Sequence, residues 1–280
     1  MENMVEKKIT IVTVNFNNVS EVEKTIKSVI NQDYRNIEYI VVDGGSTDGS
    51  MEIINKYAEF IDHLISEKDS GIYNAMNKGI KLAGGDYINF MNSGDVFTNR
   101  HVVTNVFKLS NDEDIIYGHT NRTLKDEIIS QKIHPQELTY SYLIEKSINH
   151  QAMFVKTFWA KKNLFNENLK MIADWDFLFR AFHQGANTKC VNFPVVNFDI
   201  SGLSNLNREP GDIHELQFNQ TINELIPTHL INELQELNKW NDPTFLGTIE
   251  NLKKKGKVGK ILAFQLNMTN GLLKIFRKAK

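Results

Sequence analysis

The sequence predicts an α/β fold in which helices cover a mostly parallel central sheet. Three observations predict it. Short β-branched apolar runs recur between residues 9 and 100, segments with helical apolar spacing separate these runs, and each run ends in a polar loop rich in Asn, Asp, Gly and Ser. Strands and helices that alternate in this way build right-handed βαβ units, whose strands are parallel.

The first two strands are predicted at residues 9–14 and 37–42, which are apolar runs of the kind buried on both faces of a parallel sheet. A helix is predicted to begin at Ser20, because Glu23 three residues later completes a capping box. The apolar face of this helix comprises Val22, Ile26, Val29 and Ile30. A second helix follows the polar loop at residues 43–50, and its inward face comprises Ile53, Ile54 and Tyr57.

Two more strands, at residues 63–66 and 87–90, flank a helix predicted over residues 73–83. The strand at 87–90 is followed by a polar loop that ends in the carboxylate of Asp95. Ligands of parallel α/β sheets bind at the carboxyl ends of the strands. Four polar strand ends at one edge therefore predict a crevice for a polyhydroxylated ligand that carries phosphate. For any single loop, an aspartate that satisfies its own backbone is the structural alternative.

The second half of the chain has a less regular pattern. Strands are predicted at residues 114–117, 151–155 and 191–200. Residues 121–147 are predicted to form an irregular surface loop with a short helix, and residues 201–205 a mobile loop over the crevice. Residues 212–237 are predicted to be helical.

A cluster of acidic and aromatic residues at 173–180 predicts a helix that begins near Asp174. A carboxylate in the first turn is stabilised by the helix dipole, by about 0.3–1 kcal/mol. Asp174 is therefore either a functional carboxylate or a first-turn residue, with Asp176 and Arg180 forming an i,i+4 ion pair. The residues alone leave both interpretations open.

Composition narrows the class of protein. The chain has 280 residues and a net charge of −2, which argues against a general nucleic-acid binder. The single cysteine, Cys190, excludes an internal disulfide and fits a reducing compartment. Cys190 lies in an apolar run, as expected for a buried structural thiol. Neither a dinucleotide-binding G-x-G-x-x-G nor a P-loop motif is present. Without an apolar leader or an apolar run of membrane-spanning length, we expect a cytoplasmic protein.

The C-terminal residues 253–280 differ from the rest of the chain, because they contain nine Lys or Arg residues and no acidic residue, interspersed with apolar side chains. A basic amphipathic helix of this kind binds anionic membrane surfaces. The tail therefore predicts a peripheral contact with the inner face of the cell membrane. The structural alternative is a last helix that docks on the domain with its basic face in solvent.

Several blocks follow one family pattern. The first block, residues 9–17, matches a first strand with its nucleotide loop, and the second, residues 28–32, reads S-[IV]-x-x-Q. The third block, residues 41–49, is similar to VDDGSTDGT, and the fourth, residues 69–80, is similar to D-x-G-x-x-x-A-x-N-x-G. The fifth block, residues 92–95, stands at a D-x-D position. The pattern resumes at His150-Gln151 and at residues 174–176. With these blocks the chain resembles the inverting GT-A-type glycosyltransferases of family 2, in the branch that builds bacterial surface polysaccharides. The resemblance is dense over residues 9–100.

The resemblance implies that the first half binds a nucleoside diphosphate sugar, with a UDP-sugar favoured. The residues it assigns to donor binding are Thr13, Asn15, Asn17, Asp43, Gly71, Asn74, Asn77, Lys78, Asn92, Ser93 and Gly94. Asp95 is implied to coordinate Mg²⁺ or Mn²⁺, which takes oxygen ligands. The chain departs from the pattern where Asn92 and Gly94 replace carboxylates, and where Gly44 replaces a second Asp.

The resemblance also implies the remaining roles. Asp174 is implied to be the catalytic base, with Asp176 as the fallback. His150, Gln151 and Trp175 are implied to line the acceptor side, and the acceptor is a glycan or a lipid-linked molecule. The implied fold is a GT-A-type Rossmann-like α/β/α sandwich with a C-terminal helical extension.

The expected organisation is a catalytic domain at residues 1–210, with a nucleotide-sugar half at about 1–100 and an acceptor half at about 101–210. A helical extension at 211–250 and the basic tail at 251–280 follow. Two other functions stay open. One is a non-catalytic partner subunit that binds nucleotide sugar or glycan. The other is a sugar nucleotidyltransferase, which is disfavoured because residues 15–18 lack the Gly-rich, basic loop that holds a triphosphate.

Overall fold

Four parallel strands form the first part of the sheet in the computed structural model, which describes residues 6–201 and 213–241. They are β1 (Ile9–Asn15), β2 (Ile37–Asp43), β3 (His63–Ser66) and β4 (Tyr87–Phe90), in the order β3-β2-β1-β4. The register places Asn15 opposite Asp43, and Asp43 opposite Ser66. The polar strand ends therefore lie side by side at one edge, as the sequence predicts.

Helices connect these strands and cover the sheet. They are α1 (Val22–Ile30), α2 (Ser50–Asn55), a 3₁₀ turn (Ala58–Phe60), α3 (Ile72–Leu82) and α4 (Val102–Leu109). Helix α3 buries Ala75, Met76 and Ile80. It packs closely on β1 at Gly79, where a Cβ atom would lie 2.5 Å from a methyl group of Val12. A glycine at this position therefore sets the separation between helix and sheet.

The predicted capping box at Ser20 is wrong, because α1 begins at Val22 and has no side-chain cap. The Glu23 carboxylate instead accepts a hydrogen bond of 2.6 Å from the Tyr57 hydroxyl and lies 3.3 Å from Lys27 Nζ. The segment before the helix is held by Asp48, which accepts from the Val19 backbone N–H at 2.8 Å. A contact from another loop replaces the local cap that the sequence predicts.

The second half of the chain extends the same sheet. Its strands are β5 (Val96–Phe97), β6 (Ile115–Leu124), β7 (Glu127–Lys132), β8 (Met153–Lys156) and β9 (Thr188–Asp199). The order continues as β4-β8-β6-β9-β5, with β7 paired to β6. Strand β8 is antiparallel to both β4 and β6, and β9 is parallel to β6, so that β6 and β9 run in the direction of β1 to β4. This mostly parallel sheet with covering helices confirms the predicted fold class.

The prediction of an irregular loop over residues 121–147 is wrong in its first part. Strand β6 continues to Leu124 and pairs with β7 as an antiparallel hairpin. The turn between them is made by Lys125 and Asp126, which both have positive φ, at 50° and 65°. Strand β7 is almost entirely exposed and lacks a buried alternation of apolar residues, so its sequence resembles a loop. The predicted short helix is present as α5 (Tyr140–Leu143).

The remaining helices are α6 (Thr157–Asn163), α7 (Ala173–His183), α8 (Ile213–Leu225) and α9 (Thr228–Asn241). Helix α7 begins one residue before Asp174, as the sequence predicts. The helical region predicted over residues 212–237 is present as two helices separated at Ile226-Pro227, because proline lacks the N–H that a helix interior requires.

The described residues divide into two compact units, with the boundary between Ile222 and Asn223. No helix among the described residues is long and apolar enough to cross a membrane. The predicted mobile loop, apart from Ser201, and the basic tail at 253–280 lie outside the described residues.

Candidate active site

The candidate site lies at the edge of the sheet where β1, β2, β4, β6 and β9 end and β8 begins. Four side-chain atoms at this edge are buried without a hydrogen-bond partner among the described residues: Asn15 Oδ1, Asn92 Oδ1, Ser93 Oγ and Gln151 Oε1. Buried polar atoms are nearly always hydrogen-bonded in folded proteins, so a group of unpartnered atoms requires an explanation. A polar ligand bound at this edge would supply the missing partners.

Asp43, at the end of β2, is fully buried and organises the loop that follows it. Its Oδ2 accepts from the backbone N–H groups of Gly45 and Ser46, at 3.1 and 2.9 Å, and from Ser66 Oγ at 2.9 Å. Its Oδ1 accepts from Ser46 Oγ at 2.5 Å and from Asn15 Nδ2 at 2.8 Å. Burial by itself raises the pKa of Asp43, but these hydrogen bonds outweigh it and the pKa is lowered. The carboxylate is therefore ionised, and its hydrogen bonds hold the loop that follows β2.

The donor-assigned residues in β1 and just after it have different surroundings. Thr13 is fully buried, and its hydroxyl lies 2.9 Å from the Tyr39 hydroxyl, so the structure places it in the core rather than at the crevice. Asn17 has a left-handed backbone, with φ at 45°, and its side-chain oxygen accepts from the Thr47 N–H at 2.9 Å. Asn15 reaches the site and leaves its Oδ1 unpartnered.

The two asparagines of α3 hydrogen-bond to the segment that follows α6. Asn77 is buried, donates to the carbonyl of Phe165 at 2.9 Å and to Glu167 at 2.8 Å, and accepts from the Phe165 N–H at 2.8 Å. Asn74 donates to the same Glu167 carboxylate at 2.9 Å. These bonds tie α3 to the segment after α6. The structure thereby corrects the expectation for the buried Asn77, while the donor role of the half-buried Asn74 stays a prediction.

The start of α3 contains the other two residues assigned to the donor. Gly71 has φ at 134°, which requires glycine, and its N–H donates to Asp69 Oδ1 at 3.0 Å. Lys78 forms an ion pair of 2.8 Å with the exposed Glu67. The Lys78 ammonium has three N–H donors, so a phosphate would compete with Glu67 for this side chain.

Asp95 is buried deep in the site. Its Oδ2 accepts from Gln151 Nε2 at 2.6 Å, and its Oδ1 accepts from the backbone N–H of Asp199 at 3.0 Å. Burial raises the pKa of Asp95 to about 7, and the Asp199 charge adds to the rise. The Asp199 side chain lies beside Gly94, where a Cβ atom would be 3.9 Å from Asp199 Oδ2. The end of β9 thus brings a second carboxylate to the position that the D-x-D pattern leaves empty.

Asp174 is connected to the donor side of the site through His150. Its Oδ2 lies 3.4 Å from His150 Nδ1, and His150 Nε2 lies 2.8 Å from Asn92 Nδ2. Because the Asn92 amide nitrogen only donates, His150 Nε2 accepts, and the ring proton is on Nδ1, directed at Asp174. The other oxygen of Asp174 accepts from the Trp175 N–H at 2.9 Å. The sequence indicates the three residues but not this connection between them.

Asp176 has a different partner. It is buried, and it binds Arg180 through Nε at 2.9 Å and Nη2 at 2.8 Å, which confirms the predicted i,i+4 pair. Arg180 in turn donates to the backbone carbonyls of Asn163 and Leu164, at 2.6 and 2.8 Å. This network anchors α7 to the end of α6.

Trp175 lies in the core of the first unit rather than on the acceptor side. It is 2% exposed, its indole N–H donates to the carbonyl of Leu143 at 2.6 Å, and its ring centroid is 4.5 Å from that of Phe218. In the sequence, an aromatic residue next to a candidate catalytic base suggests a surface on which a substrate stacks. Its indole hydrogen bond and its packing show a structural role instead.

The described residues contain no preformed metal site with several protein ligands. In the part of the chain that the structure describes, no three His, Cys, Asp or Glu side chains are grouped closely enough to hold a metal ion. The two carboxylates beside Gly94 are those of Asp95 and Asp199, and each oxygen of Asp95 retains a lone pair beyond its hydrogen bond. The available donors therefore suit a cation that takes its remaining ligands from water and from a substrate.

Comparisons with known proteins relate this sequence to one family of enzymes. A family model described as glycosyl transferase family 2 matches residues 10–167. An uncharacterized glycosyltransferase of Mycobacterium tuberculosis is 30% identical over 213 residues, which cover 73% of this chain and 79% of that protein. A PGL/p-HBAD biosynthesis glycosyltransferase of Mycobacterium bovis is 28% identical over 189 residues, covering 64% and 72%.

Two solved structures share the fold. Staphylococcus aureus TarS 1–349 in complex with UDP-GlcNAc has a TM-score of 0.62 at 17% identity, covering 77% of this chain and 64% of that chain. The mannosyltransferase PcManGT from Pyrobaculum calidifontis, in complex with GDP-Man and Mn²⁺, has a TM-score of 0.60 at 16% identity, covering 97% and 81%. The match to another TarS structure spans 60% of that chain.

Proposed function

The chain belongs to glycosyltransferase family 2, and we propose that it transfers a sugar, with inversion, from a nucleoside diphosphate sugar to a hydroxyl group of a glycan or lipid-linked acceptor. The observation that carries this proposal is the connected set Asp174, His150 and Asn92 at the polar edge of the sheet. It joins a candidate base to the loop that stands at the D-x-D position.

The donor is proposed to be a UDP-sugar. TarS has been solved with UDP and with UDP-GlcNAc, and PcManGT with GDP-Man, so both neighbours bind nucleotide-linked sugars. In this chain the unpartnered oxygens of Asn15 and Asn92 are acceptors for ribose or sugar hydroxyl groups. Ser93, whose buried hydroxyl lacks a partner among the described residues, can donate to a phosphate oxygen.

In the proposed reaction an acceptor hydroxyl group attacks the anomeric carbon as the bond to the diphosphate breaks. Asp174 takes the hydroxyl proton, the acceptor oxygen forms the new glycosidic bond, and the nucleoside diphosphate leaves. The side chain of Asp174 is 21% exposed, which leaves part of the carboxylate accessible. The His150 Nδ1–H and the Trp175 N–H fix its two oxygens, which orients the carboxylate before the substrate binds.

The residues present fit a divalent cation. Asp95 and Asp199 would hold Mg²⁺ or Mn²⁺, because both ions take carboxylate oxygens and keep several water or phosphate ligands. When bound, the ion would neutralise charge on the leaving diphosphate. The Mn²⁺ in the PcManGT structure supports this assignment.

Cell-surface polysaccharide synthesis is the proposed setting. The resemblance to the surface-polysaccharide branch of the family supports it, whereas the relative named for PGL/p-HBAD biosynthesis supports only the broader class of glycosyltransferase. We retain the proposed catalytic domain at residues 1–210, the extension at 211–250 and the membrane-binding tail. Deletion of residues 253–280 should abolish co-sedimentation with anionic liposomes, and unchanged co-sedimentation would refute the membrane contact.

A donor panel tests the reaction class. The purified protein with Mn²⁺ should release nucleoside diphosphate from a UDP-sugar in the presence of acceptor, and NMR of the product should show an inverted anomeric centre. Retention of configuration would contradict the single-base mechanism.

Two control measurements separate the alternative functions. Calorimetric UDP binding that is insensitive to Mn²⁺, together with no turnover, would favour a non-catalytic partner subunit. Formation of a nucleotide sugar from a nucleoside triphosphate and a sugar phosphate would favour a nucleotidyltransferase.

A further inference from the structure

Helix α7 begins without a polar side chain at the position before it. The first N–H groups of an α-helix have no partner inside the helix, and Ser, Thr, Asp or Asn at the preceding position often binds them. The residue before α7 is Ile172, whose side chain contains no polar atom. Asp174 accepts from the Trp175 N–H at 2.9 Å, so the N–H groups of Ala173 and Asp174 are left to solvent or to an acceptor from another segment.

The phenol oxygen of Tyr73, from α3, meets these two N–H groups. Tyr73 is 8% exposed, and burial raises the pKa of its hydroxyl group well above the usual value. The charge of Asp174 adds to the rise, whereas hydrogen bonds from the backbone N–H groups of Asp174 and Ala173 oppose it. A side chain of one helix thus caps the helix that contains the proposed base.

The ring of Tyr73 is held by a row of aromatic side chains that joins α3 to α7. The ring stacks on Phe165, with 5.6 Å between the centroids, and Phe165 contacts Phe177 of α7 at 5.0 Å. Asn77, one turn after Tyr73 in α3, binds both the N–H and the carbonyl group of Phe165, at 2.8 and 2.9 Å. Packing on both helices therefore sets the position of the Tyr73 hydroxyl group relative to α7.

This cap leaves one oxygen of Asp174 outside the first turn of its own helix. A carboxylate in the first turn is attracted to the free N–H groups there, because they have partial positive charge. Tyr73 satisfies two of these groups, and Asp174 binds the third with Oδ1 alone. Its Oδ2 lies 3.4 Å from His150 Nδ1, on the side of the candidate site.

We propose that Tyr73 is a positioning residue for the catalytic base: its hydroxyl oxygen caps the start of α7 and holds Asp174 in the orientation that takes the acceptor proton. This inference rests on the proposed function. The cap also connects the base to the donor side of the site, because α3 begins directly after Gly71, which is assigned to donor binding.

Tyr73→Phe tests the proposal, because it removes the hydroxyl group and keeps the aromatic ring. In UDP release from a UDP-sugar, kcat should fall by about 10- to 100-fold, since a misplaced catalytic group loses that much. The KM for the donor and the calorimetric affinity for UDP should stay unchanged.

Tyr87→Phe is the matched control. It also removes a buried hydroxyl group, which donates to the carbonyl of Glu113 at 2.6 Å, at the opposite edge of the sheet. This variant should lower the melting temperature by a similar amount and keep the wild-type kcat.

A double-mutant cycle separates positioning from a general loss of stability. In the Asp174→Asn background, Tyr73→Phe should lower the residual turnover by less than about twofold, because the base that it orients is already absent. Amide hydrogen exchange measured by NMR tests the cap without any activity. The N–H groups of Ala173 and Asp174 should exchange about tenfold faster in Tyr73→Phe, which corresponds to the loss of one hydrogen bond, and at the wild-type rate in Tyr87→Phe.

The possible failures can be distinguished. If the wild type turns over no UDP-sugar, the proposed function is refuted, and the positioning role with it. If the wild type is active and folded Tyr73→Phe keeps its kcat, only the positioning role is refuted. An equal loss of kcat in Tyr87→Phe, or an undiminished effect of Tyr73→Phe in the Asp174→Asn background, would also overturn it. Unchanged exchange at Ala173 and Asp174 would refute the cap itself.

Discussion

Asp43 and Asp95 are both buried aspartates that follow strands at the same edge of the sheet, yet their environments act on them in opposite directions. Asp43 receives five hydrogen bonds, and its pKa is lowered although burial opposes this. Asp95 receives two, and burial raises its pKa to about 7. Asp95 experiences the stronger effect of burial and receives fewer donors, and both differences raise its pKa relative to that of Asp43.

The difference shows how one edge can hold both a structural and a reactive carboxylate. Burying an ionised carboxylate is costly unless donors replace the water that it loses. The loop after β2 supplies those donors and is shaped by them. The surroundings of Asp95 supply too few, and a second carboxylate, that of Asp199, lies close by. Asp95 is therefore the carboxylate that gains most from a cation, which supports its proposed role as a metal ligand.

Amide substitution at the two positions should produce the largest contrast. Asp43→Asn should lower the free energy of unfolding by about 2–4 kcal/mol, because buried N–H groups of Gly45 and Ser46 lose a charged acceptor. Asp95→Asn should change it by less than about 1 kcal/mol. The Gln151 amide can turn so that its unpartnered Oε1 accepts from the new amide. Urea unfolding at pH 7 measures both values, and equal losses would contradict the comparison.

The buried imidazole of His134 shows that burying a charge without enough compensating partners is also costly at acid pH. His134 is 2% exposed, and burial, with the nearby charges of Lys132 and His119, lowers its pKa to about 3. Below the ordinary pKa of 6.5 the unfolded chain binds a proton that the folded chain excludes. The free energy of unfolding should therefore fall by up to about 1.4 kcal/mol per pH unit from about pH 6.5 downward.

The control for this pH effect is His134→Gln, which cannot be protonated in that range. Urea unfolding of both proteins at pH 7 and pH 5.5 should show a smaller loss of stability for the variant. Identical losses would mean that the folded chain accommodates the charged imidazole, and that donor supply does not limit this site.

Removing one donor from Asp43 should have the smallest effect. Ser66→Ala deletes a single hydrogen bond of 2.9 Å, while the other four remain. The expected loss is about 0.5–1.5 kcal/mol in the free energy of unfolding. Adding Ser66→Ala to Asp43→Asn should cost less than that, since the acceptor is already altered. Full additivity of the two losses would show that Ser66 acts independently of the carboxylate.

The sequence predicts the first half of the fold well because its signals are local. The strands at 9–14, 37–42, 63–66 and 87–90 are apolar runs with polar ends, and parallel βαβ units join neighbours in the chain. The hairpin of β6 and β7 was predicted as a loop, because an exposed strand has no buried alternation. Its pairing depends on partners that local patterns do not identify.

The residues of the candidate site also divide into those that local sequence patterns predict and those that they do not. The position of Asp174 in the first turn of α7 follows from local spacing. The contribution of Asp199 does not follow from local spacing, because its backbone N–H donates to Asp95 from 104 residues away in the chain. Asn77 fits the family pattern, and only its bonds to Phe165 reveal its packing role. A residue at a motif position can thus serve packing, and a carboxylate next to a motif can come from a distant segment.

The central claim is that Asp174, rather than Asp176, accepts the proton during sugar transfer. The direct measurement is nucleoside diphosphate release from a UDP-sugar by matched amounts of folded Asp174→Asn and Asp176→Asn. Asp174→Asn should reduce turnover by about 10²- to 10⁴-fold and leave UDP affinity unchanged. Asp176→Asn should lower stability, because it breaks the ion pair with Arg180, and keep turnover per folded molecule. An active Asp174→Asn beside an inactive, folded Asp176→Asn would contradict the account.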